Sequence, residues 1–286
     1  MALSRRSPAG LRPHGRRPGA RSFVGFLIAV VALMGYFFSR STNPITGQSQ
    51  HVALSVDQEI ALGLQSAPEM ARQFGGELPD PAAQDLVDRV GRRLLERGFE
   101  GATLPYPFEF HLLADDKVVN AFALPGGQIF ITSALFSRLE TEGQLAGVLG
   151  HEIGHVVERH SAQHMAKARL TQGLVGAIAV GASDAENPSA GLTAAMIAQA
   201  VGSVINMKYG RDDELESDEW GVKLMARAGY DPRAQVRVME ILSEAGGGAG
   251  APEFLSTHPD PGNRIERIRS LIGAMFPAGV PPELQP

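Results

Sequence analysis

His151-Glu152-Ile153-Gly154-His155 sets two imidazoles four residues apart with a carboxylate beside the first. On an α-helix such positions lie about 40° apart in azimuth and about 6 Å along the axis, so both rings can converge on one ion. None of the 286 residues is Cys, which excludes disulfides, thiolate zinc sites and thiol nucleophiles. Any metal must therefore be held by His, Asp and Glu. Two His at this spacing suit tetrahedral zinc, and Glu152 would stand beside the metal without ligating it, placed to take a proton from an activated water. A surface helix with two solvated histidines is the competing reading. Gly143, Gly147, Gly150 and Gly154 weaken it, because they recur on one helix face and imply close approach by another element.

A zinc site needs a third protein ligand. The extension H-E-x-x-H-x-x-G-x-x-H is absent, since Glu158 and Ser161 occupy the Gly and third-His positions, and the inverted order H-x-x-E-H does not occur. His160 and His164 are expected to be solvated or to support a ligand. Downstream, residues 211–218 (RDDELESD) read as an acidic helix start. There Glu214 could complete the zinc shell while Asp218, four residues on, accepts the spare N–H of a ligand histidine. Asp212 and Glu216 share that spacing, but their stripe continues through Glu219 and Lys223, a solvated pattern. The stripe of Glu214 and Asp218 continues through Gly221 and Met225, toward a core. Capping alone is the alternative, since acids are favoured in a helix's first turn.

These residues need elements to position them. Thr141 with Gln144 suggests a capping box opening a long helix over about 142–169, which carries the histidine motif. Ser55 with Gln58 suggests another, running to about Gln73 and stopped by Gly75-Gly76. After Pro79 and Pro81, Leu86, Val90, Leu94 and Leu95 have helical spacing up to about Gly98. Short β-type runs follow at 108–113, 118–122 and 128–132, the last two separated by Pro125-Gly126-Gly127. Asn120, Ala121 and Phe122 would then lie on a strand whose free edge could hold substrate as an added strand; an ordinary core hairpin is the alternative. Residues 170–182 and 190–205 are apolar but short, and are expected to form a helical hairpin packed on the body, a second membrane passage being the alternative. Further helices are expected over 212–228, from Pro232 and over 263–275, with a break at 246–250.

In chain order, Asn120-Ala-Phe-Ala-Leu-Pro-Gly-Gly127, the motif at 151–155, Glu214-x-Glu216-Ser217-Asp218 after Arg211, and Thr257-His258-Pro259 with Arg264-Ile265 resemble the M48 zinc metallopeptidases. The resemblance covers roughly residues 55–275. It implies an α+β gluzincin fold, mostly helical around the H-E-x-x-H helix with a small β-sheet beside the cleft. It also implies one zinc held by His151, His155 and Glu214, Glu152 as general base, and cleavage of misfolded or damaged envelope and membrane polypeptides. His258 and Arg264 match the family's second catalytic-side motif. From its own position His258 could reach the metal as a fourth ligand that keeps the enzyme latent, or could stabilise the oxyanion of the tetrahedral intermediate. Arg264 could equally pair with an acidic helix face. Ser217 stands where the family usually has Ala, a small change. The rival from another class is a membrane-tethered holdase whose zinc is structural and kept closed by His258.

The first 56 residues carry seven arginines and no acid, so the rest holds 19 of the 26 basic groups and all 31 acids. A body that acidic is a poor match for nucleic acid, and no such partner is expected. The arginines mostly form a basic tail over 1–22, followed by an unbroken apolar run over 23–38. As a helix that run spans about 24 Å, and it is expected to be an uncleaved transmembrane signal anchor, a cleaved signal, a mitochondrial presequence or a buried helix being the alternatives. Positive charge stays cytoplasmic, which would put the body on the extracytoplasmic, periplasmic side. Residues 39–54 read as a linker, 55–275 as the catalytic domain and 276–286 as a tail.

Overall fold

A computed structural model describes residues 20–182, 208–245, 252–258 and 263–286. Most of the basic tail, the stretch 190–205, the expected break at 246–250 and Pro259 lie outside the described residues.

Ser55 and Gln58 close the capping box that starts α2 (Val56–Gln73), and Gly75 and Gly76, both at positive φ, end it as expected. Asp80 caps α3 (Pro81–Gly98), with Pro81 in the first turn, where its missing N–H costs little. β3 (Glu109–Leu113), β4 (Ala121–Leu124) and β5 (Gln128–Thr132) form a sheet in the order β3-β5-β4. β3 runs parallel to β5 and β4 antiparallel to it, with Phe122 opposite Phe130. β4 begins at Ala121 and not at 118, because Asp115 Oδ1 accepts the N–H groups of Lys117 and Val118 and turns the chain there.

After the short α4 (Ser133–Phe136), Thr141 caps the central helix α5 (Glu142–Val157), which is buried from Gly143 to its end. Gln144 Oε1 takes the N–H of Glu140, one residue before the cap. α5 stops at Val157 and not near 169. Arg159 adopts φ 59°, and a separate helix α6 (His160–Ala182) leaves in a new direction. That break is held from outside: Arg159 Nε donates to the two carboxylate oxygens of Glu59 at 3.1 and 3.3 Å, and Nη2 to Leu54 O at 2.9 Å.

The glycine stripe of α5 meets α7 (Arg211–Ala228) and α8 (Arg233–Ala245). A methyl group on Gly150 would lie 3.2 Å from Gly221 Cα, one on Gly154 2.9 Å from Ser217 Cα, and one on Gly147 3.2 Å from Gln235 Cα. Two further helices complete the described body, α9 (Glu253–Thr257), which the sequence did not suggest, and α10 (Arg264–Met275). Residues 276–286 are not a loose tail: Gln285 N–H donates to Gly229 O and Gly143 N–H to Pro286 O, each at 3.0 Å.

α1 (Ala20–Phe38) contains the apolar run and is followed by a hairpin of β1 (Arg40–Thr42) and β2 (Ser49–His51). The segment expected to be a free linker is thereby docked on the body. Asn43 Nδ2 donates to Val157 O at 2.7 Å and Gln50 Nε2 to Glu158 O at 3.0 Å, both side chains buried. Among the described residues no helix is long and apolar enough to cross a membrane, so the structure gives the expected transmembrane anchor over 23–38 no support. Residues 170–182, expected to pack on the body, belong to α6 and pack against α1.

Candidate metal centre

His151 and His155 project from the middle of α5, Glu214 from the first turn of α7, and His258 from the residue after α9. One nitrogen or oxygen from each lies within 4.8 Å of the others, and all four side chains are buried. His151 Nε2 is 3.1 Å from His155 Nε2 and 3.4 Å from both His258 Nδ1 and Glu214 Oε2; Glu214 Oε1 is 3.0 Å from His258 Nδ1 and 3.5 Å from His155 Nε2. Four atoms about 2.0–2.1 Å from a tetrahedral centre stand roughly 3.3 Å from one another. The donor set is nitrogen and oxygen only, so both chemistry and spacing fit one zinc ion. Glu152 lies beside this group with its carboxylate fully buried and neither oxygen hydrogen-bonded among the described residues; Oε1 is 3.7 Å from His258 Nε2. Burial pushes its carboxyl above the usual glutamate range, as suits a base awaiting a proton.

The outward nitrogens of the two α5 histidines are held in turn. His151 Nδ1 is 3.0 Å from Asp218 Oδ1, the contact expected from the i, i+4 spacing of Glu214 and Asp218. Arg264, at the start of α10, donates from Nε and Nη2 to Asp218, both at 2.7 Å, and places Nη1 2.9 Å from Glu214 Oε2. It therefore bridges the ligand carboxylate and the supporting one, and it is itself 1% exposed. Burial opposes ionisation of both acids, but His258 and His151 outweigh it at Glu214, which is held well below its usual range, and Arg264 does so at Asp218. Burial drives His155 well below the usual histidine range, leaving the neutral imidazole a metal requires.

His155 Nδ1 meets His160, for which support of a ligand was one of the two expected readings. Because the helix breaks at Arg159, His160 turns back, buried, to put Nδ1 2.9 Å from His155 Nδ1 and Nε2 3.1 Å from Glu216 Oε2. Tyr209 went unnoticed. Its ring stacks on His155 at 3.9 Å between centroids, and its hydroxyl lies 3.1 Å from Ser161 Oγ. No spacing links Tyr209 to the motif, whereas the pair His155 and His160 was visible but read as one helix.

Beside His258 a cleft opens, lined by Asn120, Phe122, Ala123, Tyr209 and Thr257. It runs along the outer edge of β4, so the structure brings the expected substrate strand to the metal group. Ala121 is fully buried beneath it, and Asn120, 2% exposed, leaves Oδ1 without a hydrogen-bond partner among the described residues. Phe122 stacks on Phe130 and serves the core as well.

A model described as peptidase family M48 matches residues 81–272. The beta-barrel assembly-enhancing protease of Escherichia coli (strain K12) is 32% identical over 270 residues, 90% of this chain and 53% of that protein. The mitochondrial metalloendopeptidase OMA1 of Saccharomyces cerevisiae is 26% identical over 265 residues, 87% of this chain and 73% of its own. The mitochondrial metalloendopeptidase OMA1 of Homo sapiens is 31% identical over 247 residues, 83% and 47% respectively. The chain spans about half the length of the bacterial relatives it matches.

Proposed function

The chain belongs to peptidase family M48, and from that premise we propose that it is a zinc-dependent endopeptidase cleaving misfolded or damaged polypeptides of a membrane or envelope. The observation that carries the reading is Glu152, whose two oxygens stay buried and, among the described residues, without hydrogen bonds against a group of four side chains able to hold a metal. A buried carboxylate is costly unless something binds there. Bound zinc would supply Lewis acidity, lowering the pKa of water and polarising the scissile carbonyl. Glu152 accepts the proton of the attacking water and returns it to the leaving amine. His151, His155 and Glu214 hold the metal; Asp218 and Arg264 fix their orientation. The edge of β4 from Asn120 to Phe122 takes substrate as an added strand, by main-chain hydrogen bonds that tolerate many sequences. In this reading His258 is a fourth ligand that closes the site until substrate displaces it, a role supported by its place among the side chains able to hold a metal.

The relatives' names, an assembly-enhancing protease and mitochondrial metalloendopeptidases, support a role in quality control of membrane or envelope proteins. Six arginines ahead of residues 23–38 favour a single-pass attachment with the catalytic body on the extracytoplasmic side; digestion of the body by protease added outside intact spheroplasts checks it. For the chemistry, Glu152→Gln is expected to keep its zinc and to lower turnover of a denatured protein roughly 10²–10⁴-fold. A metal-replete variant with near wild-type activity would remove Glu152 from the mechanism.

A further inference from the structure

Eleven of the 13 large apolar side chains exposed among the described residues lie on α1 and α6, among them Phe23, Phe26, Phe37 and Phe38 on the first and Val175 and Ile178 on the second. Both helices are uncharged over long stretches, from Phe23 to Ser39 and from Leu170 to Ala182, with Arg21 in the first turn of α1 at the end away from the base. The two leave the body at one level. Tyr36, Ser39, Ala166 and Arg169 line the same crevice at their base. There Arg169 Nη1 donates to Ala53 O at 3.0 Å, and His51 Nδ1 lies 2.8 Å from Tyr36 O. From that base α1 runs inward and α6 outward, so they are antiparallel. They touch through small residues, Gly173 approaching so near that a methyl group on it would lie 2.5 Å from Ala32 Cβ.

We propose that α1 and the outer half of α6 form one paired element immersed in the hydrocarbon of a lipid bilayer, α6 contacting acyl chains through Val175 and Ile178. The inference builds on the membrane attachment proposed above but assigns a second helix to the bilayer. Neither helix alone is long and apolar enough to cross; side by side they extend roughly 20–24 Å from the body at 1.5 Å per residue. The exposed apolar side chains of α1 cover about half its circumference at 100° per residue. That surface is uncharged from Phe23 to Phe38, its nearest arginines lying only at the two ends, whereas a protein docking site is rimmed by polar residues. Small residues at the seam with large apolar ones outside are the arrangement helices adopt in lipid, where only close packing holds them together. Arg40 and Arg169 at the base, with Tyr36 beside them, suit the headgroup level. The arrangement would hold the cleft beside the bilayer surface.

Because the chain lacks cysteine, single substitutions give unique labels. The full chain, reconstituted in vesicles of phosphatidylcholine and phosphatidylglycerol, would carry an environment-sensitive fluorophore at one position in each of Val175→Cys, Ile178→Cys, Leu33→Cys on α1 and Leu64→Cys on α2. Labels at 175 and 178 are expected to match that at 33, with blue-shifted emission, quenched severalfold more by nitroxide on the lipid acyl chains than by aqueous iodide. The label at 64 should behave in the opposite way. Lipid quenching at 33 with iodide quenching at 175 and 178 would overturn the role of α6 and leave attachment through α1 standing. Iodide quenching at all positions would overturn both, and shielding of 175 and 178 from both quenchers would show that protein, not lipid, covers them.

Discussion

Glu214, Asp218 and Glu216 lie within five residues of one another, yet the structure gives them unequal roles. Glu214 faces the metal group from a fully buried position with Arg264 Nη1 2.9 Å behind it, so Glu214→Gln is expected to lose most bound zinc and all activity. Asp218→Asn keeps the shape but removes the charge that orients His151, and zinc affinity should fall roughly 10–100-fold. Glu216, its side chain 53% exposed, reaches the site only through His160, so Glu216→Gln should weaken affinity less than Asp218→Asn does. Competition with a chelating dye measures all three, and the reverse ranking of 216 and 218 would show that the wrong carboxylate has been assigned. His258→Ala should retain zinc on the remaining three ligands and raise basal proteolysis if His258 closes the site. A fall of about 10²–10³-fold would instead make it an oxyanion donor. At this scale the sequence was legible wherever spacing within one helix was sufficient, as for His151, His155, Glu214 and Asp218. Tyr209 reaches the site by a stacking contact and His160 through the helix break at Arg159, and neither arrangement leaves a periodic trace.

The seam between α5 and α7 decides whether those side chains meet. Gly154→Ala would put a methyl group 2.9 Å from Ser217 Cα and 3.0 Å from its carbonyl oxygen, backbone atoms that yield only if α7 moves. Ser217 sits between Glu214 and Asp218, so the shift would carry both carboxylates away from α5. The expected outcome is a loss of about 1–3 kcal/mol of stability together with weakened zinc binding. Gly273→Ala on α10, where nothing lies within 4 Å, should instead gain up to about 1 kcal/mol from helix propensity. Equal effects at the two positions in urea unfolding would refute close packing as the reason for the stripe. The stripe announced this seam because glycine is costly in a helix unless a neighbour needs the space. The end of α5 gave no such notice: Arg159 takes a left-handed conformation because Glu59, a hundred residues earlier, is there to bind it. Nor could short apolar runs specify that β3 lies parallel to β5 with β4 outside, an order set by how the sheet meets α2, α3 and α5.

Across the whole molecule, the metal group joins segments that the chain keeps far apart. The side chains able to hold an ion come from positions 151, 155, 214 and 258, on three elements, with Arg264 on a fourth. Other long-range ties also hold distant segments together, since the hairpin after α1 bonds to the end of α5, and Gln285 bonds to Gly229 and Glu142. None of those ties contains a cluster of charges that needs a cation to be neutral, whereas among the described residues the metal group buries the three carboxylates of Glu214, Asp218 and Glu152 beside one guanidinium, Arg264. Removing the ion should therefore destabilise the body as a unit and not merely silence it. A ligand present at a thousand times its dissociation constant contributes about 4 kcal/mol, and for a domain this large each kcal/mol moves the melting midpoint by about 2–4 °C. Chelation is thus expected to lower the midpoint by roughly 8–16 °C, with recovery on adding zinc. Glu214→Gln should melt low at the outset and respond to neither treatment, which separates loss of the site from a general effect of the chelator. An unchanged midpoint in the wild-type protein, with zinc shown to have left, would mean that the helices hold this arrangement without the ion.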